Sequence, residues 1–329
     1  MKKFAAICLL IVLIVCFAAC APTEKTARGF SMGSDYYVTY TSSEDLSAEV
    51  SRLLSFIEES FSARVEGSVV SRINASGVGT VSLTTEESAV LARCFALAEE
   101  SEGAFDPAVL PLVKAWGFDP PYLMNGEVPP AAQAIADAKA LSGYTLFGFS
   151  KENETITKTV AGAELDLGGA IKGYAAERVR DLVKEKAKTA LVYVGGTIAA
   201  VGKSYEIGVT PPRDSEESFA FRFSLKAGEI CATSGDYERY YVYQGNRYHH
   251  ILDANTGYPA TSGVISATVV SEDGLLADAL ATAVVVLGAE KGVALLEKCG
   301  AKGAIVTSDK KITAVGLSVT VKDKTYEIA

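Results

Sequence analysis

The sequence is poor in the residues that metal and redox chemistry most often recruit. Among 329 residues there are only 2 histidines, 1 tryptophan, 3 methionines and 6 cysteines. Cys8 and Cys16 fall inside an N-terminal apolar run and Cys20 closes it, while Cys94, Cys231 and Cys299 stand far apart among apolar neighbours. No C-x-x-C occurs and the body holds an odd number of cysteines, so neither a disulfide framework nor a cysteine zinc site is indicated. These three read as buried free thiols. GxxxxGK[ST] is absent, which excludes a P-loop. No segment repeats at the spacing of a solenoid or propeller, and no low-complexity tract interrupts the chain. Positive charge is also scarce: 31 basic residues face 40 acidic ones, a net charge of −9. Removing Lys2 and Lys3 with a leader leaves 29 against 40, or −11. Such a surface repels a phosphate backbone, so broad nucleic-acid binding is disfavoured. A small phosphate-bearing ligand stays open if local groups or a metal supply positive charge.

Only one long apolar run is present. Phe4 to Ala19 follows Lys2-Lys3 and turns polar at Thr23-Glu24-Lys25. It is shorter than the roughly 20 residues that a membrane-spanning helix needs, and has the form of a signal peptide. Ala18-Ala19-Cys20 resembles a bacterial lipobox, which makes residues 1–19 a lipoprotein signal and Cys20 the lipidated first residue of the mature chain. An ordinary secretory signal or an uncleaved anchor are the alternatives. Either way the body is expected on the extracytoplasmic face of a bacterial membrane, lipid-anchored in the preferred reading.

Past this leader, 20–35 reads as tether and lead-in and 36–329 as one domain. Leu46, Val50, Leu53, Leu54, Ile57 and Phe61 recur at helical spacing and predict an amphipathic helix over 45–62. Thr84-Thr85-Glu86-Glu87 offers a capping box for a helix over roughly 85–101. Four of the ten prolines lie in 117–130, a long loop. Helices are expected near 169–187, 274–287 and 289–299, and strands near 190–194, 205–209, 219–225, 236–243, 247–252, 264–270, 303–307 and 311–315. The fold class is α/β in the mixed α+β sense: one compact body, with mixed β-sheets flanked by helices.

Four clusters carry possible chemistry. In Leu275–Leu287 the only polar side chains are Asp278 and Thr282, one helical turn apart and on one face. A carboxylate and a hydroxyl so placed are hard oxygen ligands suited to Mg²⁺ or Ca²⁺. The plainer alternative is that Asp278 favours a helix N-terminus and Thr282 bonds a carbonyl one turn back. Asp166-Leu167-Gly168-Gly169-Ala170-Ile171-Lys172-Gly173-Tyr174 has glycines around a helix start, able to cradle an anion, or simply making a strand-to-helix turn. Arg247-Tyr248-His249-His250 holds both histidines; on a strand they face opposite sides, so either one serves a site as general base or the two are simply a surface pair. The last cluster is Gly103-Ala104-Phe105-Asp106-Pro107 with Trp116-Gly117-Phe118, in which the aromatic rings are either a stacking surface for a flat heterocycle or, the default, core or lid anchors.

The order of these blocks is more specific than any one of them. Met32-Gly33-Ser34, Ser71-Arg72-Ile73-Asn74, G-A-F-D-P at 103–107, W-G-F at 116–118, D-L-G-G-A-I-K-G-Y at 166–174, V-G-G at 194–196, T-S-G-D-Y at 233–237, H-I-L-D-A-N-T-G at 250–257 and A-D-A-L-A-T-A at 277–283 together resemble the ApbE family of FAD:protein FMN transferases. The resemblance implies an ApbE-like catalytic body and Mg²⁺-dependent cleavage of the FAD pyrophosphate. FMN would pass through a phosphoester to a Ser or Thr hydroxyl of an acceptor protein, releasing AMP. It further implies that Asp278, Thr282 and the carbonyl of Gly169 hold the metal. Met32, Asn74, Ala104, Phe105, Asp106, Asp166, Lys172 and the backbone near Leu252 would line the FAD site, and His250 would take the proton of the acceptor hydroxyl. The implied partner is an extracytoplasmic acceptor with a Ser/Thr flavinylation motif, of the redox-pump subunit type. Ala254 departs from a proline common in the family, and Tyr193 and Thr197 from asparagines. A Mg²⁺-dependent FAD pyrophosphatase and a non-enzymatic FAD-storage lipoprotein are the rival readings.

Overall fold

The computed structural model describes residues 22–119 and 126–329. The expected signal over 1–19, the lipidated Cys20, Pro120-Pro121 and Tyr122 lie outside the described residues. Among the described residues no helix is long and apolar enough to cross a membrane.

A nine-stranded sheet organises the molecule. From edge to edge its strands are Thr23–Ser31, Ser34–Ser42, Thr189–Val194, Thr197–Val201, Ile230–Gly235, Val264–Ser271, Lys302–Thr307, Lys311–Val315 and Glu327–Ile328. All neighbours are antiparallel except the last pair. Alternation explains the outer strands: in Ser34–Ser42 the side chains of Tyr36, Val38 and Tyr40 turn inward and their neighbours outward. The centre differs. Val264–Ser271 is buried at every position but its last, as a strand covered on both faces must be.

One face carries the helices Ser47–Phe61, Val69–Ala75, Thr85–Glu100, Ile171–Lys184, Gly274–Leu287 and Ala289–Lys298. The other carries a three-stranded sheet, Tyr205–Val209, Phe221–Leu225 and Val319–Val321, whose Ile207, Phe221 and Phe223 pack with Cys231, Ile265 and Val306. A satellite core gathers Leu112, Trp116, Phe118, Ile135, Tyr241 and Leu252. It joins the helices Leu110–Ala115 and Ala132–Ala140 to the hairpin Tyr240–Tyr243/Asn246–His249.

Several expectations hold closely. Thr84 and Glu87 form a reciprocal capping box at the start of Thr85–Glu100, and Gly274–Leu287 matches its predicted span. Others need correction. The stretch expected as tether and lead-in, 20–35, supplies the edge strand Thr23–Ser31 and its turn, paired along its length to Ser34–Ser42. The strand expected over 236–243 starts only at Tyr240. The strand expected over 247–252 is broken into Asn246–His249 and Leu252–Asp253. Thr197–Val201 and Ile230–Gly235 were not anticipated: both lie at the sheet centre, where Ala, Thr, Ser and Gly show no two-residue alternation.

Candidate active site

The site is built where two helices touch. Gly173 in Ile171–Lys184 and Gly274 at the start of Gly274–Leu287 meet backbone to backbone. A Cβ on Gly173 would lie 2.0 Å from the Gly274 carbonyl oxygen and 2.6 Å from Asp278 Cβ. This contact lets Asp278, 5% exposed, reach across. Its Oδ2 accepts the Gly173 N–H at 2.9 Å, one of the first-turn donors that a helix leaves unsatisfied. The cap of Asp278's own helix is instead Asp273, which accepts from the Leu276 N–H. So Asp278 is not an N-terminal residue of convenience; it ties two helices and stays buried with a second oxygen to give.

Thr282 lies one turn further on. Its hydroxyl bonds Ser234 Oγ on the central strand at 3.2 Å and not a carbonyl one turn back. Gly169 sits directly opposite, since a Cβ there would be 3.4 Å from Thr282 Oγ1 and 3.4 Å from the buried Phe105 ring. Gly169 and Thr282, more than a hundred residues apart in sequence, thus meet, with Asp278 one helical turn before Thr282. A carboxylate, a hydroxyl and a carbonyl make an all-oxygen donor set. It fits a hard divalent cation such as Mg²⁺, and a side chain at Gly169 would crowd it.

The loop bearing Gly169 is held from several sides. The Asp166 N–H donates to the Pro107 carbonyl at 2.7 Å, and Asp166 Oδ1 accepts the Gly168 N–H at 2.8 Å. Arg64 donates to Asp166 Oδ2 at 3.3 Å and also to Asp119. Asn74 spends both ends of its amide on Leu165, donating to its carbonyl at 2.9 Å and accepting its N–H at 2.7 Å. Asn74 therefore aligns the extended segment leading into Asp166. The buried ammonium of Lys158 in turn donates to the Asn74 and Ser76 carbonyls, at 2.9 and 2.8 Å, and finishes the helix Val69–Ala75.

Lys172 donates to the Gly168 carbonyl at 2.7 Å and lies over the next strand turn. A Cβ on Gly195 would be 2.8 Å from Lys172 Cδ and 2.8 Å from Ser34, so glycine there admits the lysine. Ser34 closes a two-residue hairpin turn in which Met32 and Gly33 both have positive φ, 51° and 72°, the geometry of a type I′ turn. Met32, Lys172 and the Gly195-Gly196 turn so form one wall. Beyond it Thr197 buries a hydroxyl that has no partner among the described residues. Asp106 accepts the Ala108 and Tyr144 N–H groups at 2.7 and 2.9 Å, yet burial pushes its carboxyl up to about 6. Ala104 and Phe105 are buried beside it.

The two histidines separate in role. His249 is buried and doubly used: Nδ1 accepts the Ile251 N–H at 3.3 Å, which leaves Nε2 to donate to the Ala260 carbonyl at 2.9 Å. It is a neutral clamp between strand ends. His250 meets the Arg239 carbonyl through Nδ1 at 3.2 Å. A carbonyl only accepts, so Nδ1 carries the proton and Nε2 keeps a lone pair. Loss of water around the ring, followed by the positive charge of Arg239 and, more weakly, of Lys172, holds His250 well below the usual histidine range. The ring of Phe118 meets it edge-on at 6.4 Å. Leu252, two residues on, is buried in the satellite core opposite Pro259. Trp116 is fully buried, bonds the Gly257 carbonyl at 2.8 Å and stacks on Tyr248, so it is a core anchor and not an open stacking surface.

Sequence reasoning missed Arg64, the Arg239 carbonyl and Ser234 as contributors. Ser234 lay within the T-S-G-D-Y block but had no signal of its own; Arg239 acts through its backbone, which no residue type announces. Two clefts of about 600 and 630 Å³ lie elsewhere, around Arg180 and Gly228 and around Arg213 and Tyr240, and contain none of the expected site residues.

The pattern of the ApbE family matches residues 32–306. The chain is 34% identical over 286 residues to an FAD:protein FMN transferase of Treponema pallidum, covering 81% of this chain and 78% of that protein. It is 29% identical over 317 residues to one of Haemophilus influenzae, covering 91% of both chains. Among solved structures, the ApbE protein of Thermotoga maritima superposes with a TM-score of 0.78 at 33% identity, over 92% of this chain and 98% of that one. The flavin transferase ApbE of Vibrio cholerae gives 0.78 at 26% identity, over 92% and 97%.

Proposed function

This chain belongs to the ApbE family, and from that membership we propose that it is an FAD:protein FMN transferase acting on a Ser or Thr hydroxyl of an acceptor protein. The reading is supported above all by one observation. The buried Asp278 carboxylate binds the Gly173 N–H, and the Thr282 hydroxyl one turn on lies beside Gly169, on the same loop that Lys172 grips. Asp278, Thr282 and the Gly169 carbonyl would hold Mg²⁺. When bound, that cation neutralises the oxygens of a pyrophosphate in an otherwise acidic protein.

The remaining steps belong to the protein's own groups. His250 Nε2 takes the proton of the acceptor hydroxyl, its ring held by the Arg239 carbonyl. The hydroxyl oxygen then forms a bond to the phosphorus of the FMN half, the bridging P–O bond breaks, and AMP leaves with the bridging oxygen. Lys172 offers a positive charge at the same loop, and Asn74 and Arg64 fix the loop so that donor and base stay in register. Met32, Ala104, Phe105, Asp106, Asp166 and the backbone at Leu252 are the proposed FAD-facing set. The setting is proposed to be extracytoplasmic, with Cys20 as lipid anchor and the acceptor a protein of the same compartment.

The test is intact-mass spectrometry of a candidate acceptor incubated with the protein, FAD and Mg²⁺, with Asp278→Ala as control. An acceptor gain of one FMN with AMP release, both lost in the control, is expected. Free FMN and AMP with the acceptor unchanged across a panel would replace transfer by hydrolysis, and intact bound FAD would replace it by storage.

A further inference from the structure

Thr282 is one of only two polar side chains in the apolar stretch Leu275–Leu287, and its single hydrogen bond crosses to Ser234 Oγ at 3.2 Å. A hydroxyl carries one proton and two lone pairs, so the direction of that bond decides what Thr282 can offer on its other side. If Ser234 donates, one Thr282 lone pair is consumed and the Thr282 proton must point elsewhere, including toward any cation beside Gly169. If Thr282 donates, both of its lone pairs turn away from Ser234, toward the space shared with Gly169 and Asp278.

We propose that Ser234 is a positioning residue that accepts the Thr282 proton and thereby aims the Thr282 lone pairs at the cation site. The inference rests on the proposed reading of that site as a cation site. Its support is structural. Ser234 belongs to Ile230–Gly235, a central strand that pairs with Thr197–Val201 over Ile230–Ala232 and with Val264–Ser271 along its whole length, with Ala267 directly opposite Ser234. The neighbouring Thr233 locks the same strand pair through Thr268 Oγ1 at 2.9 Å. A hydroxyl fixed on such a strand has little freedom, which is what orienting a ligand requires. A cation bound to Thr282 Oγ1 also polarises its O–H and makes it the better donor of the two, so ligation and the bond to Ser234 strengthen each other.

The experiment titrates the full-length protein in detergent with Mn²⁺ alone, following free Mn²⁺ by electron paramagnetic resonance. Ser234→Ala is expected to weaken Mn²⁺ about tenfold or more, the usual effect of removing a group that orients a ligand. Ser234→Thr restores the hydroxyl and should stay close to the parent. Because Ser234 acts through Thr282, the double variant Ser234→Ala/Thr282→Val should bind no more weakly than Thr282→Val alone. Unchanged affinity in Ser234→Ala, or a further additive loss in the double variant, overturns the proposal. Asp278→Ala separates the two levels. If it abolishes Mn²⁺ binding while Ser234→Ala leaves it intact, only the Ser234 inference fails. If Asp278→Ala also binds normally, the cation site itself is wrong. Melting curves of each variant exclude unfolding as the cause.

Discussion

Gly173→Ala tests how the helix contact makes the site. The added Cβ would lie 2.0 Å from the Gly274 carbonyl oxygen and 2.6 Å from Asp278 Cβ. Comfortable separation is about 3.5 Å, so the two contacts fall short by roughly 1.5 and 0.9 Å. Neither neighbour is a flexible tip: one is backbone and the other is anchored on a fully packed helix. The helices must therefore part, and the Gly173 N–H bond to Asp278 Oδ2 at 2.9 Å is stretched as they do. Overpacking of this severity sits at or above the upper end of the usual range, about 3 kcal/mol. For a chain of this size, with an unfolding entropy of roughly 0.6 kcal/mol/K, that lowers Tm by about 5 °C. Gly77→Ala is the matched control, since nothing lies within 4 Å of its Cβ position. There the smaller entropy of the unfolded chain should raise stability by about 0.4–1 kcal/mol. Differential scanning calorimetry gives both numbers, and Mn²⁺ affinity of the folded Gly173→Ala protein reports on Asp278. A Gly173→Ala protein with unchanged Tm and unchanged Mn²⁺ affinity would refute the argument that this contact sets the carboxylate.

Four further outcomes are expected. His250→Gln should keep its Tm and its FAD binding but lose about 10²–10⁴-fold in flavinylation rate. His249→Ala, by contrast, should cost about 1–3 kcal/mol in a urea melt, because the Ala260 carbonyl and the Ile251 N–H lose their partner. The His250 imidazole should titrate below 6.5 by NMR, with only two histidines to assign; an apparent pKa at or above 6.5 contradicts a ring shielded from water beside Arg239. The sign for stability follows. An unfolded histidine takes up its proton near pH 6.5 while folded His250 resists it, so this contribution is present above about pH 6.5 and is lost as pH falls toward the folded pKa. Lys158→Met should lower stability by about 2–4 kcal/mol, since two buried carbonyls lose a charged donor. It should also weaken FAD binding measured by fluorescence, because Asn74 loses its support; a melt and a binding curve both matching the parent would remove Lys158 from this role.

Much of the local structure was readable from neighbours a few residues apart. The capping box at Thr84 and Glu87, the apolar stripe through Leu46, Val50, Leu54, Ile57 and Phe61, and the shared face of Asp278 and Thr282 all depend on contacts within one or two helical turns. Such contacts are written in the spacing of residue types. The strand Ile230–Gly235 was not readable, because its identity comes from being covered on both faces and not from alternation. The polar run EKTAR within Thr23–Ser31 reads as a tether in the sequence, because a strand tolerates it only at a sheet edge and edges are assigned by pairing.

At the site itself, the sequence by itself determined the donor types: one carboxylate and one hydroxyl on one helix face, glycines ahead of a second helix, and two adjacent histidines that cannot serve alike. Only the tertiary structure decided what each does. It brought Gly173 against Gly274 and so spent one Asp278 oxygen on the neighbouring helix. It set Ser234 behind Thr282, and it gave His250 a carbonyl at Nδ1 while giving His249 a donor there. These are choices among partners a hundred residues away in places. They follow from which polar groups are buried together and must satisfy one another, and no local pattern encodes that.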